Sequence, residues 1–310
     1  MNSKKQKTAL LAGIVLALVL VLGLAFVLFR FFSPSSLVAP DLDGTGSTAP
    51  VRAWQRRFAE HFSETVVENE WSYRSPTLSV SVTAYEHPEA YPKLSYYVAD
   101  LYLTNIRQLQ SAYAVEGKTY SSPGTIVSET GGIVGINGDM LVKQVWGFVA
   151  RNGEVLNYEE PLYDVCMLYT DGRMETCAPF TYSAETLVES DVLWQVWQFG
   201  PMLLDKDGKP METFNADRTL ISPQPRTAIG YSEPGHYCFV VVDGRDPMHS
   251  DGADFPTLAQ IMSDLGCKAA YNLDGGASTV MVFDGKEVNQ QIYDRFLCDM
   301  IVVCELPDDE

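Results

Sequence analysis

The sequence predicts an α+β, mixed α/β fold: a strand-rich mixed sheet with a βαβ-like C-terminal core, preceded by an N-terminal transmembrane helix. Three observations predict it. An unbroken run of 21 apolar or glycine residues covers Ala9–Phe29. At about 1.5 Å per residue it is long enough to cross a hydrocarbon core of roughly 30 Å. Downstream, short segments with strand-like patterning outnumber those with helical spacing. Residues 237–274 read as strand, loop, helix and strand, with Asp at the end of each strand.

Taken in order, Lys4, Lys5 and Lys7 precede the apolar run, and no acidic residue occurs before Asp41. That asymmetry predicts a cytoplasmic N-terminus and an exterior remainder. The run is longer than the roughly 7–15 apolar residues of a cleavable signal. The nearest approximation to a cleavage site, Leu37-Val38-Ala39, begins with a large residue. Residues 1–32 are therefore expected to form a cytoplasmic tip and an uncleaved single-pass anchor in the lipid bilayer. Residues 33–50, rich in Pro, Ser, Gly and Thr, form a flexible linker. Residues 51–75 contain Trp54, Phe58, Phe62 and Val66, four apart, and are expected to provide the N-terminal helix of the exterior part. Residues 76–310 form the main domain. An anchor of this kind suggests a bacterial cell-surface protein.

The net charge is −18, and all of the deficit lies beyond the anchor, where 18 basic residues face 40 acidic ones. Such a surface disfavours nonspecific binding of nucleic acid. An anionic ligand would need a local arginine cluster. All six cysteines also fall in the predicted exterior part. In "CMLYTDGRMETC", Asp171-Gly172 signals a two-residue hairpin loop. That loop would set Cys166 directly opposite Cys177, within disulfide reach. The cysteine and histidine spacings do not suggest structural zinc.

In the main domain, "TLSVSVTAYE" alternates Leu78, Val80, Val82 and Ala84 with Ser79, Ser81 and Thr83, as a half-buried strand does. "SYYVADLYLT" reads as another. Further strands are expected at 133–136, 145–150, 165–170, 173–177, 237–242, 269–273, 279–283 and 298–304. Helices are expected near 105–112, 184–189 and 257–265. For the last of these, Thr257 and Gln260 suggest a capping box, and Gly266 suits the C-terminal cap. If the strands flanking that helix are parallel, their C-terminal ends share one sheet edge. Asp243, Arg245, Asn272 and Asp274 would then meet where ligands bind in open sheets.

The familiar nucleophile-elbow, zinc-protease, P-loop and dinucleotide motifs do not occur. What remains is an oxygen-and-guanidinium set. It comprises Arg226 in "SPQPRTAIG", Asp243, Arg245 and Ser250 in "VVVDGRDPMHSDG", and Asn272, Asp274, Gly275, Gly276 and Ser278 in "YNLDGGAS". Asn137 and Asp139 in "GINGDM" and Arg295 in "IYDRFLCD" complete it. Carboxylates and amides suit sugar hydroxyls and acetal chemistry, and guanidinium forks bind phosphate oxygens. The clustered acids also suit a hard cation such as Ca²⁺, although no cofactor is required.

These segments resemble the phosphodiester glycosidase family. The likeness runs in order from "YYVADLYLTNIRQLQSAYA" through "GIVGINGDM", "ARNGEVL", "LYTDGRM" and "WQFGPMLLDKDGK". It is most specific in "PRTAIGYSEPGHYCFVVVDGR", "TLAQIMSDLGCKAAYNLDGGAST" and "DRFLCDMIVV", and covers about residues 78–304. Ala277, Val280 and Cys298 depart from the usual pattern, which bears on substrate detail.

The resemblance implies hydrolysis of a glycan sugar-1-phosphodiester at the anomeric carbon, and the predicted anchor suggests envelope or exopolysaccharide glycans as the substrate. Asp274 and Asp243 would be the catalytic carboxylates, in either assignment of nucleophile or base and partner. The arginines, Asn137, Asp139, Ser250, Asn272, Gly275, Gly276 and Ser278 would bind substrate. Two rival readings stay open: a non-catalytic module that binds cell-wall polymer, and a phosphodiesterase that cuts the P–O bond.

Overall fold

A computed structural model describes residues 49–87, 89, 92–114, 118–141, 147–189, 192–291 and 293–306. The expected anchor and nearly all of the linker lie outside the described residues. Among the described residues, no helix is long and apolar enough to cross a membrane.

The chain begins with α1 (Ala49–Arg57), β1 (Val67–Asn69), β2 (Ser72–Arg74), β3 (Leu78–His87), β4 (Leu94–Leu103) and β5 (Leu109–Tyr113). It continues through α2 (Pro123–Glu129), β6 (Gly132–Asn137), β7 (Phe148–Arg151), β8 (Glu154–Tyr158), β9 (Val165–Tyr169) and β10 (Met174–Cys177). Next come α3 (Ala184–Glu189), β11 (Leu193–Trp197), β12 (Arg226–Glu233), β13 (His236–Val242), α4 (Phe255–Asp264) and β14 (Ala269–Asn272). Strands β15 (Met281–Phe283), β16 (Lys286–Glu287) and β17 (Asp299–Cys304) close the order.

The strands form three sheets, ordered β1-β2-β3-β4-β13-β12-β14, β10-β9-β11-β7-β8 and β16-β15-β6-β17-β5. Period-two alternation explains how they stack. Leu78, Val80 and Phe239 of the first sheet, Cys166 and Trp197 of the second, and Ile136 and Ile301 of the third meet in one shared core. The opposite faces are covered by helices. Helix α4 covers the first sheet through Phe255, Leu258 and Met262, α3 the second through Leu187, and α2 the third through Ile126 and Val127.

Several expectations change. Helix α1 ends at Arg57, and Val67–Asn69 and Ser72–Arg74 are strands. Trp54 and Phe58 are buried, but Val66 is exposed, so the four-residue stripe does not continue as one helix. The helix expected near 105–112 is a single 3-10 turn, Ile106–Gln108, followed by β5. Asn105 and Gln108 cap that turn reciprocally, and the backbone of β5 pairs with β17. Helix α4 starts two residues before the expected Thr257. Its cap is Asp254, whose side chain accepts from Thr257 N at 2.9 Å.

The expected Cys166–Cys177 disulfide is not formed, because the hairpin register is shifted by one residue. Cys166 pairs with Thr176, and Cys177 with Val165. A one-residue shift turns a side chain to the other face of the sheet. Cys166 accordingly lies in the shared core, while Cys177 packs against the α3 side, and both are free thiols.

Candidate active site

Strand pairing brings the C-terminal motifs together. β12 lies between β13 and β14 and runs antiparallel to both. The outer two strands are therefore parallel to each other but not adjacent, which corrects the expected βαβ unit without moving its ends. Arg226, which opens β12, pairs with Val242, which closes β13. Ala228 pairs with Asn272, which closes β14. Arg226, Asp243, Arg245, Asn272 and Asp274 thus gather at one sheet edge.

Two recesses meet at Asp274. One, of about 390 Å³, is lined by Asn137, Gly138, Tyr120, Phe296, Asp299 and others. The second, of about 290 Å³, is lined by Arg226, Arg245, Gln224, Phe199, Gly275 and Gly276 among others. Asp274, Ser278 and Arg295 border both. Burial raises the Asp274 carboxyl above its ordinary range, opposed by the Ser278 hydroxyl, the Gly275 N–H and the charge of Arg295. Its Oδ1 accepts from Gly275 N at 2.8 Å. Asn137 braces the same turn, donating from Nδ2 to the Asp274 carbonyl at 2.7 Å. Its Oδ1 accepts from Thr227 Oγ1 at 2.6 Å and Val280 N at 3.2 Å.

A second acid in the first recess, Asp299, escaped the sequence reading. It opens β17, a strand whose six residues are all buried. Its carboxylate accepts from Leu141 N at 3.1 Å, Asp139 N at 3.2 Å and Cys298 Sγ at 2.9 Å. Burial, reinforced by the charge of Asp139, pushes its pKa up to about 6. Gly138 couples the two acids: its carbonyl accepts from Asp274 N at 3.3 Å, and its N–H donates to the Asp299 carbonyl at 3.2 Å. A Cβ on Gly138 would lie 1.9 Å from Asp299 Oδ2, so a larger residue there would have to displace that carboxylate. The available signal was a charged residue heading the wholly apolar run "MIVV".

The arginines of the second recess differ. Arg226 is buried, with Nε donating to Ala253 O at 2.9 Å and Nη2 to Ser222 O at 3.0 Å and to Leu220 O. Its guanidinium lies 4.2 Å from the Phe255 ring centre, and burial pulls its pKa down to about 10. Arg245 is exposed and gives Nε and Nη2 to Gln224 Oε1. Arg295 is an exposed residue with no hydrogen bond or salt bridge to another described residue, and its charge acts on Asp274. A phosphate oxygen would find one anchored, one lightly tethered and one uncommitted guanidinium here.

Four other expected site residues line neither of these two recesses. Asp243 is 2% exposed. Its carboxylate accepts from His249 Nε2 at 2.8 Å and from Asn289 Nδ2 and Gln290 N, both at 3.1 Å. Burial still raises its pKa, against those three donors. Ser250 Oγ donates to the Asp243 carbonyl at 2.7 Å and accepts from Ser95 N at 3.1 Å, so it pins the loop. Asp139 forms a buried ion pair with Arg151 Nη2 at 2.6 Å and accepts from Gln198 N at 2.9 Å. Asn272 Nδ2 bonds the carbonyls of Gly200 and Leu273. These side chains bond within the protein, although Asn272 Oδ1 is buried with no hydrogen-bond partner among the described residues. Gly275 and Gly276 do line the second recess, but their tight contact is with the protein. A Cβ on Gly275 would sit 2.9 Å from Pro225 O, and Gly276 has φ +61°. For the Ca²⁺ expectation, no group of three or more His, Cys, Asp or Glu side chains converges as a metal site would, among the described residues.

Two acids beside a guanidinium-lined recess have the make-up of a glycosidase-type site for an anionic substrate. The chain belongs to the phosphodiester glycosidase family, whose model matches residues 126–303. It is also similar to the SPbeta prophage-derived uncharacterized protein YomE of Bacillus subtilis (strain 168), 29% identical over 181 residues. That match takes in 56% of this chain and 27% of YomE, so the chain spans about a quarter of this curated relative. Among solved structures, the zebrafish N-acetylglucosamine-1-phosphodiester alpha-N-acetylglucosaminidase catalytic domain, auto-inhibited by its pro-peptide, superposes with a TM-score of 0.60. It is 17% identical, over 75% of this chain and 85% of that one. A hypothetical protein from Synechocystis superposes with a TM-score of 0.51 at 13% identity, over 78% and 64% of the two chains. At these identities the structural likenesses speak for the fold.

Proposed function

We propose that the protein is a membrane-anchored exterior hydrolase that cleaves a glycan sugar-1-phosphodiester at the anomeric C–O bond. The observation that carries this reading is the position of Asp274 where an acid-lined recess meets an arginine-lined one. The sugar would occupy the first recess, beside Asn137, Tyr120 and Phe296. The phosphate would occupy the second, facing Arg295, Arg245 and Arg226. The scissile bond then falls beside Asp274, which attacks the anomeric carbon or activates water as an oxocarbenium-like state develops. A phosphate departs as a weak base, so neutralising its charge matters more than protonating it, and the guanidinium groups supply that neutralisation. Asp299 is the second carboxyl, partly protonated near pH 6 and able to give a proton to the bridging oxygen. The apolar run at Ala9–Phe29 is the feature that favours a bacterial cell-envelope or exopolysaccharide substrate.

Hydrolysis in oxygen-18 water tests the reaction. The full chain would be supplied with a panel of sugar-1-phosphodiesters and both products analysed by mass spectrometry. C–O cleavage places the label on the sugar and leaves the phosphate monoester unlabelled. Label in the phosphate would establish P–O cleavage instead and overturn the proposal.

A further inference from the structure

Away from the site, two thiols lie against each other under the first sheet. Cys238, in the middle of β13, and Cys267, just after α4, have sulfurs 3.6 Å apart. Both are buried, at 6% and 4% exposure. The space they occupy is made by Gly230, the β12 residue paired with Cys238. A Cβ there would lie 2.6 Å from the Cys267 sulfur and 2.7 Å from the Cys238 sulfur. The other cysteines have no comparable arrangement. Cys166 and Cys177 face opposite sides of their sheet, Cys298 donates to Asp299, and Cys304 donates to the Thr130 carbonyl.

We infer that Cys238 and Cys267 are a disulfide-forming pair that ties β13 to the chain emerging from α4. The loop so closed runs from 238 to 267. It contains the whole Asp243–Ser250 segment, helix α4 and the carbonyl of Ala253 that holds Arg226. A crosslink here fixes, in one covalent ring, the elements that set the spacing of the sheet edge. The step is thiol–disulfide exchange. Two thiols and one disulfide, such as oxidised glutathione or the active disulfide of an exterior oxidoreductase, give one protein disulfide and two thiols of the acceptor. Attack requires a thiolate. The contact with Cys267 and burial together hold the Cys238 thiol well above its ordinary range. Exchange is therefore expected while the chain folds, before the sulfurs are covered.

The test is to refold the full chain in a glutathione redox buffer and, separately, in dithiothreitol. Each sample is alkylated under denaturing conditions and mapped by peptide mass spectrometry. The proposal expects a single joined peptide pair, Cys238 with Cys267, with the other four cysteines alkylated. It also expects a Tm higher by roughly 5–10 °C in the oxidised sample, the effect of closing a loop of this length in a domain of this size. In the Cys238→Ala/Cys267→Ala variant, Tm should no longer depend on the redox buffer. Full alkylation of both cysteines after oxidative refolding overturns the proposal. So does a mixed disulfide with glutathione at either one, or a redox-dependent Tm that persists in the double variant.

Discussion

Asp243 and Asp274 occupy equivalent places. Each follows a buried strand, each precedes glycine, and each is raised in pKa by burial. Their surroundings differ. Three donors, from His249, Asn289 and Gln290, hold the Asp243 carboxylate, which lines neither recess. Asp274 keeps one backbone donor and a neighbouring hydroxyl, and borders both recesses. A buried carboxylate that lines no recess is placed to act as a structural tie, whereas one that borders a recess can do chemistry. The Asp-Gly signature locates an edge and does not say which acid is free.

The contrast can be broken in several ways. The largest effect is expected from Asp274→Asn, which should lower kcat on a sugar-1-phosphodiester by about 10³–10⁴-fold. Because Asn spares the cost of burying a charge, Tm should hold or rise, as differential scanning calorimetry would check. Gly138→Ala comes next. The added methyl displaces Asp299 and should cost about 3 kcal/mol of stability, measured by denaturant unfolding. A variant as stable as the parent would mean that the two acids are not locked through Gly138.

Asp299→Asn sharpens the comparison from the other recess, with an expected loss of about 10²-fold in kcat/KM. If Asp299 acts protonated, activity falls as pH rises through about 6, and the variant should lose that limb. The limb on the acid side, where Asp274 must ionise, should remain. Stability follows the same sign. Asp299 has a folded pKa above its unfolded one, so its stabilising contribution is full below about pH 4 and lost as pH rises through about 6. Asn should flatten Tm across that window. The smallest effect is expected from Arg295→Ala, with a roughly tenfold loss in kcat/KM that grows for substrates carrying more negative charge.

How much of this was legible depended on sequence distance. The motifs ending at Asp243 and Asp274 are joined by one crossover helix, so strand periodicity and a single helix sufficed to bring them together. Arg226 could be placed only as a residue type, because its position depends on β12 lying between the other two strands. Asp299 was missed because the pairing of β17 with β6 brings it to Asp139 N, 160 residues away, a contact that no local pattern encodes. The hairpin at Asp171-Gly172 shows how sharp such limits are. The turn was correctly located, but one residue of register decided whether Cys166 and Cys177 could meet. The partners that hold Asp243 were equally hidden, since Asn289 and Gln290 arrive from beyond β16.

The most direct test is the rate at which Asp243→Asn releases phosphate monoester from a sugar-1-phosphodiester at saturating substrate. With Asp243 as a tie beneath the edge, kcat should stay within about tenfold of the parent, while Tm falls by a few degrees as its bonds to His249, Asn289 and Gln290 weaken. A loss as deep as that of Asp274→Asn, with Tm unchanged, would contradict the account and return Asp243 to the chemistry.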